Sequence, residues 1–124
     1  MSLVNSLKYF LLTDLLFKSK IRAIAGNRAD LIRFFSSARE LLQAVEATPP
    51  AYIFIDLNDS RTQPLEAVQM LVQKSLLQDV QLYGYLSHVD RALAQQAEQA
   101  GCPHVIPRSE FVSLLPRLFA EPAK

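Results

Sequence analysis

Four side chains that can bind phosphate or a cation follow four apolar, strand-like runs of this chain. Asp14 and Asp56 each stand at the carboxyl end of such a run, Ser87 ends a third, and Arg108 follows a fourth. Carboxylates bind Mg²⁺ and can accept a phosphoryl group, while hydroxyl and guanidinium groups hydrogen-bond phosphoryl oxygens. Because the carboxyl ends of parallel strands meet at one edge of a sheet, the four residues together predict a phosphate-type site.

Each of these residues, taken singly, also has a purely structural explanation. Asp14 can cap a helix, Asp56 can open a polar loop, Ser87 can end a strand, and Arg108 can be a solvated cation. Their shared position at one sheet edge is what favours the functional interpretation.

Five apolar runs alternate with five helix-like segments. The predicted strands cover residues 7–13, 31–35, 51–56, 80–86 and 104–106. The run 51–56 is apolar on both faces, which is typical of a buried parallel strand. Strict alternation with short links predicts an α/β fold with a doubly wound parallel sheet and helices on both faces.

The helix boundaries follow from capping patterns. Ser37 and Glu40 form a capping box, Asp90 is the predicted N-cap of the fourth helix, and Ser109 that of the last. Pro116 interrupts the last helix and is expected to kink or shorten it. On the first helix, over 15–25, the spacing predicts a buried side that includes Leu16.

Length and composition favour one ordinary globular domain over residues 1–124, in which residues 1–3 fit a cloning scar. The net charge of +1 argues against broad attraction to nucleic acid or membrane surfaces. Cys102 is the single cysteine, which excludes an internal disulfide and suits a reducing compartment. We therefore expect a cytoplasmic protein that binds neither membrane nor nucleic acid directly.

The chain resembles a response-regulator receiver domain over essentially its whole length. Asp56 in Ile-Asp-Leu-Asn matches the phospho-accepting aspartate after the third strand, and Asp14 matches the second acid after the first strand. Ser87 matches the switch hydroxyl after the fourth strand. Ala100-Gly101 matches the Ala-Gly before the fifth strand, and Arg108 stands where the family has a lysine.

The resemblance implies a three-layer, flavodoxin-like (βα)5 fold with strand order 2-1-3-4-5. It implies Mg²⁺ held by Asp14, Asp56 and the backbone carbonyl of Asn58, with Ser87 and Arg108 at the phosphoryl oxygens. It also implies a phosphate donor, either a histidine kinase or a phosphotransfer protein, and a downstream protein bound through the 88–119 face. On this interpretation the chain is a signalling module and not an enzyme.

The chain departs from the family pattern at four positions. Thr13 replaces the first acid, Arg108 the lysine, Ser109 the following proline, and Val105 a common switching aromatic residue. These exchanges favour a second interpretation, a pseudo-receiver that acts without phosphate as an interaction or dimerisation module. They also suggest that Arg108 pairs with Asp56 in imitation of the phosphorylated contact.

A third interpretation belongs to a different class, a small phosphatase that works through an aspartyl-phosphate. It requires a second carboxylate placed to protonate a leaving group. Asp59 is the nearby candidate for that carboxylate.

Overall fold

A five-stranded parallel sheet forms the centre of the protein. The computed structural model describes residues 7–87 and 90–120, so residues 1–3 and 88–89 lie outside the described part. The strands are β1 (Lys8–Leu11), β2 (Ile32–Phe35), β3 (Tyr52–Asp56), β4 (Gln81–Leu86) and β5 (His104–Pro107). They lie in the order β2-β1-β3-β4-β5, with every neighbouring pair parallel. The predicted fold class and strand order are therefore confirmed.

Five α-helices connect the strands and cover both faces of the sheet. They are α1 (Leu15–Ala25), α2 (Ala38–Ala47), α3 (Pro64–Gln73), α4 (Arg91–Ala100) and α5 (Arg108–Ala120). Short 3₁₀ segments at Gly26–Leu31 and Ser60–Thr62 precede β2 and α3.

The predicted capping signals sit at the helix ends. Ser37 Oγ accepts a hydrogen bond of 3.2 Å from the Glu40 N–H. In a standard capping box the glutamate side chain accepts from the N-cap N–H. Here Glu40 Oε1 instead accepts from the backbone N–H and the hydroxyl of Ser36, the residue before the cap. Asp90 caps α4, and Gly101 ends it with φ of +108°, a conformation that glycine adopts without steric cost.

The last helix differs from its prediction in where it begins and in its length. It begins at Arg108, so Ser109 lies inside the first turn and is not the N-cap. The helix also continues past Pro116 to Ala120 and is not shortened. Proline removes one intrahelical donor, but Leu118 and Phe119 in the final turn are buried, and this packing holds the turn in place.

The buried side of α1 is narrower than the spacing predicted. Phe17, Ile21 and Ala25 recur every four residues and are buried. Leu16 is 85% exposed, so its expected place in the core is wrong. Leu15 is likewise exposed, and both leucines border the sheet edge at which the candidate site lies.

The sheet separates two hydrophobic cores, because alternate side chains of the central strands point to opposite faces. On one face, aliphatic side chains such as Ile53 and Ile55 pack under α2, α3 and α4. On the other, aromatic rings dominate under α1 and α5, and Phe10, Phe54 and Phe111 pack together there. Burial on both faces gives the strand ends a rigid base.

Leu57, the residue that follows Asp56, is held in place by its close contact with Gly84. A Cβ atom added to Gly84 would lie 2.8 Å from Leu57 Cδ1, closer than real contacts allow. Leu57 is buried and packs directly over the backbone of β4 at this glycine. The chain therefore leaves β3 in a defined direction, with Asp56 at the edge of the sheet.

Candidate functional site

The segments at the carboxyl ends of β1, β3, β4 and β5 line one open cleft of about 600 Å³. Asp56 is the last residue of β3, Ser87 follows β4, and Arg108 follows β5. These three residues line the cleft together with Asp14 and Asn58. The structure thus brings together all five residues that the sequence predicted for the site, and their chemical roles stay predictions.

The Asp56 carboxylate is half-buried at the base of this cleft. Burial is the main reason why its pKa is raised above the ordinary aspartate value. A 3.0 Å hydrogen bond from the Asn58 N–H to Oδ1 opposes this, and the Arg108 charge also lowers the pKa. The carboxylates of Asp59 and Asp14 raise it. Because the only hydrogen bond to the Asp56 carboxylate from the described residues engages Oδ1, Oδ2 has no donor among them.

The Asn58 side chain ties the end of β3 to the end of β4. Its Oδ1 accepts hydrogen bonds from the Ser87 N–H at 2.6 Å and from the Ser87 hydroxyl at 3.0 Å. Ser87 is exposed at the rim of the cleft, and the hydrogen bond to Asn58 orients its hydroxyl. The family resemblance assigned a role only to the backbone carbonyl of Asn58. The structure shows that its side chain also links β3 to β4.

Asp59 forms the other cross-link of the cleft. Its Oδ2 accepts hydrogen bonds from the Thr13 N–H at 2.8 Å and the Thr13 hydroxyl at 2.6 Å. The Asp59 side chain is only 8% exposed, and Oδ1 lies 3.9 Å from Nε of the exposed Arg61. A carboxylate so enclosed by donors is poorly placed to protonate a leaving group, which counts against the phosphatase interpretation.

The Arg108 guanidinium lies against Asp14. Nη2 is 3.9 Å from Asp14 Oδ2, and Cζ is 3.9 Å from the centre of the Phe17 ring. Among the described residues this is the ion pair that Arg108 forms, so the expected pairing with Asp56 is wrong in this structure. The physical reason is the Phe17 ring, whose face attracts the flat guanidinium and holds it on the α1 side of the cleft.

A buried phenol lies beneath the cleft and was not predicted as part of the site. Tyr85 is 1% exposed, and its hydroxyl has no hydrogen-bond partner among the described residues. Its ring stacks on Phe111 at 4.3 Å. Burial, and secondarily the Asp56 charge, raise the pKa of Tyr85, so the phenol stays neutral.

Solved structures with the same arrangement of strands and helices are response regulators. A two-component response regulator from Legionella pneumophila aligns with a TM-score of 0.75 at 14% identity, over 91% of this chain and 94% of that one. The phosphorylated cyanobacterial phytochrome response regulator RcpA gives 0.67 at 15%, over 90% and 87%. A response regulator from Burkholderia pseudomallei, with a phosphorylated aspartic acid, calcium ion and citrate, gives 0.68 at 18%, over 88% and 65%.

The chain has the receiver-domain fold. No family model and no curated protein sequence matches it. The similarity is thus one of structure at low identity, and it confirms the fold that the sequence resemblance implied.

The donor set of this receiver fold suits a small divalent cation. Mg²⁺ is commonly held by one or two carboxylates and keeps several waters, and Asp14 and Asp56 offer two carboxylates in one cleft. Within residues 7–87 and 90–120, no group of three or more His, Cys, Asp or Glu side chains is arranged to hold a metal ion. Any divalent cation here would therefore retain much of its hydration.

Two departures from the receiver pattern have visible structural consequences. Thr13, at the first-acid position, contributes donors and not a carboxylate, and both of its hydrogen bonds end on Asp59 Oδ2. Val105 is partly buried and packs against the aliphatic core beneath α4.

In the described part of the receiver fold, no helix is both long and apolar enough to cross a membrane.

Proposed function

We propose that this chain is a receiver module of a two-component or phosphorelay system and takes a phosphoryl group onto Asp56. One observation carries the proposal. The half-buried Asp56 carboxylate stands in a cleft with a second acid, a hydroxyl and a guanidinium, and its Oδ2 has no donor among the described residues.

In the proposed reaction, Asp56 Oδ2 attacks the phosphorus atom of a phosphorylated donor. The new P–O bond gives an acyl phosphate, and the bond from phosphorus to the donor atom breaks. With a phosphohistidine donor the leaving imidazole nitrogen takes up a proton from solvent. The Asn58 N–H holds Oδ1, which orients the carboxylate for attack.

The residues around Asp56 would stabilise the transferred group. The Ser87 hydroxyl, once it turns from Asn58, can donate to a phosphoryl oxygen at the rim of the cleft. Arg108 can add a charge-assisted bond. A Mg²⁺ ion held by Asp14, Asp56 and the Asn58 carbonyl would supply charge neutralisation on the phosphoryl oxygens.

The proposal assigns the chain two protein partners. A histidine kinase or phosphotransfer protein supplies the phosphoryl group, and a downstream protein binds the face that includes α4 and α5. The chain itself is then a substrate and signal carrier and not a turnover enzyme. The phosphoryl group adds about 1.5 to 2 negative charges at neutral pH. This added charge would change the conformation of the face that the downstream protein binds.

Intact mass after incubation with acetyl phosphate and Mg²⁺ tests this function. A phosphoryl adduct on the wild-type protein, lost in Asp56→Asn, supports it. A folded wild-type protein without an adduct, under conditions that label a known receiver domain, contradicts it.

A pseudo-receiver that acts without phosphate is the second candidate. It is favoured by the Arg108–Asp14 ion pair and by the Thr13–Asp59 hydrogen bonds, which use polar groups of the cleft within the protein itself. Its distinguishing result is a homodimer or a partner complex that is unchanged by beryllofluoride, as measured by light scattering.

A further inference from the structure

We propose that Arg108 is a resident cation at Asp14, which a divalent cation has to displace before it can bind in the cleft. The inference rests on the proposed function only in taking Asp14 as a cation ligand. It concerns how the occupancy of that ligand is controlled.

Both oxygens of the Asp14 carboxylate are already engaged. Oδ1 accepts a 3.1 Å hydrogen bond from the Phe17 N–H and so caps α1. Oδ2 faces Arg108 Nη2 at 3.9 Å. A metal ion that takes an oxygen of Asp14 therefore has to compete either with the helix cap or with the guanidinium.

The guanidinium is the contact that gives way more easily. The Arg108 and Asp14 side chains are 34% and 44% exposed, so water can replace the ion pair. The Oδ1 bond, in contrast, satisfies a backbone donor in the first turn of a helix. Coordination through Oδ2 would leave the cap intact and move Arg108.

Phe17 makes this arrangement specific to an arginine. Its ring lies 3.9 Å from Arg108 Cζ, and its edge-on contacts with Tyr85 and Phe111 hold the ring in the aromatic core. A planar guanidinium stacks on such a ring, whereas a compact ammonium group gains less from it. The Phe17 ring therefore both packs in the aromatic core and holds the Arg108 guanidinium beside Asp14.

The exchange of cations also links metal binding to phosphorylation. A divalent ion at Asp14 repels a guanidinium a few ångströms away, and the phosphoryl group on Asp56 offers that guanidinium a new anionic partner. Arg108 would thus leave Asp14 when both are present. By linkage, a phosphoryl group or its analogue tightens metal binding as much as the metal tightens the analogue.

Binding of Mn²⁺ alone, followed by the loss of the free-ion EPR signal, tests the proposal without any phosphate donor. Arg108→Gln should bind Mn²⁺ about five- to tenfold more tightly than the wild type, as expected for loss of one nearby positive charge at a partly exposed site. Arg61→Gln is the matched control, because Arg61 lines the same cleft and lies 3.9 Å from Asp59, an acid not assigned to the metal. The control should stay within about twofold of the wild type.

The Asp14→Asn background identifies the carboxylate through which Arg108 acts. There, Arg108→Gln should give no further gain, since the ion pair has already been lost. Circular dichroism establishes that each variant is folded.

Three results would overturn the proposal: equal or weaker Mn²⁺ binding by Arg108→Gln, an equal gain in Arg61→Gln, or no Mn²⁺ binding by any folded variant. Failure of the phosphoryl-transfer test leaves this titration unaffected. The two ideas can therefore fail separately.

Discussion

Replacement of Asp59 by alanine should destabilise the protein by about 2–3 kcal/mol, through the loss of its two hydrogen bonds to Thr13. These bonds measure 2.8 Å and 2.6 Å and join the segment after β1 to the segment after β3. The carboxylate is 8% exposed, so its removal leaves two donors of Thr13 without a protein acceptor.

The magnitude follows from the geometry of the pair. A hydrogen bond to a charged group contributes about 1.5–3 kcal/mol to net stability. Both bonds end on one oxygen and Thr13 is half-exposed, so its freed donors regain some water and the sum falls short of two full bonds. The ion pair with Arg61 adds little, because that side chain is 82% exposed.

Urea unfolding followed by far-ultraviolet circular dichroism measures the effect, and the thermal midpoint should fall by about 10 °C. Thr13→Val removes the hydroxyl and keeps the backbone N–H, so it should cost about 1 kcal/mol. In the double variant the two losses should not add, because the hydroxyl bond is counted in both.

Asp30→Ala is the matched control, because Asp30 is an exposed acid in the 3₁₀ segment before β2. A loss within 0.5 kcal/mol of zero (the range typical of surface substitutions), or a loss equal to that of the control, would refute the reasoning. Strict additivity of the Thr13 and Asp59 effects would do the same.

Two further substitutions test the electrostatics beneath and within the cleft. Asp56→Asn should raise the free energy of unfolding at neutral pH: the pKa of Asp56 is raised in the folded protein, so its ionisation costs stability. Wild-type stability relative to this variant should fall as pH rises from about 4 through the folded pKa, and pH-dependent urea unfolding would reveal a wrong sign. Tyr85→Phe should stabilise the protein by about 1 kcal/mol, because it removes a buried hydroxyl without a partner among the described residues. A thermal midpoint below that of the wild type would mean that the hydroxyl is satisfied in solution.

The strand ends could be predicted from the sequence because they depend on local patterns. Five apolar runs alternate with helix signals, and parallel strands that are linked by helices leave few topologies. The prediction that Asp14, Asp56, Ser87 and Arg108 share one edge needed nothing beyond this. The caps at Ser37 and Asp90 could likewise be predicted, since each depends on a few neighbouring residues.

The contacts within the cleft could not be predicted in the same way. Thr13 and Asp59 are 46 residues apart, and their bond depends on the exact path of the loop after β3. The direction of Arg108 depends on the Phe17 ring, which the sequence marks only as a core residue. Pro116 shows the same limit, because a local rule gave way to the packing of Leu118 and Phe119.

The two edges of the sheet restrict how other chains can associate with this protein. The edge strands β2 and β5 have four residues each, and β5 ends in Pro107, which contributes no backbone N–H donor. Exposed Arg33 places a charge on the other edge. Short edges of this kind are poor templates for the addition of a further strand, and so protect a parallel sheet from edge-to-edge aggregation. Association with other chains is therefore left to the helix surfaces and the rim of the cleft.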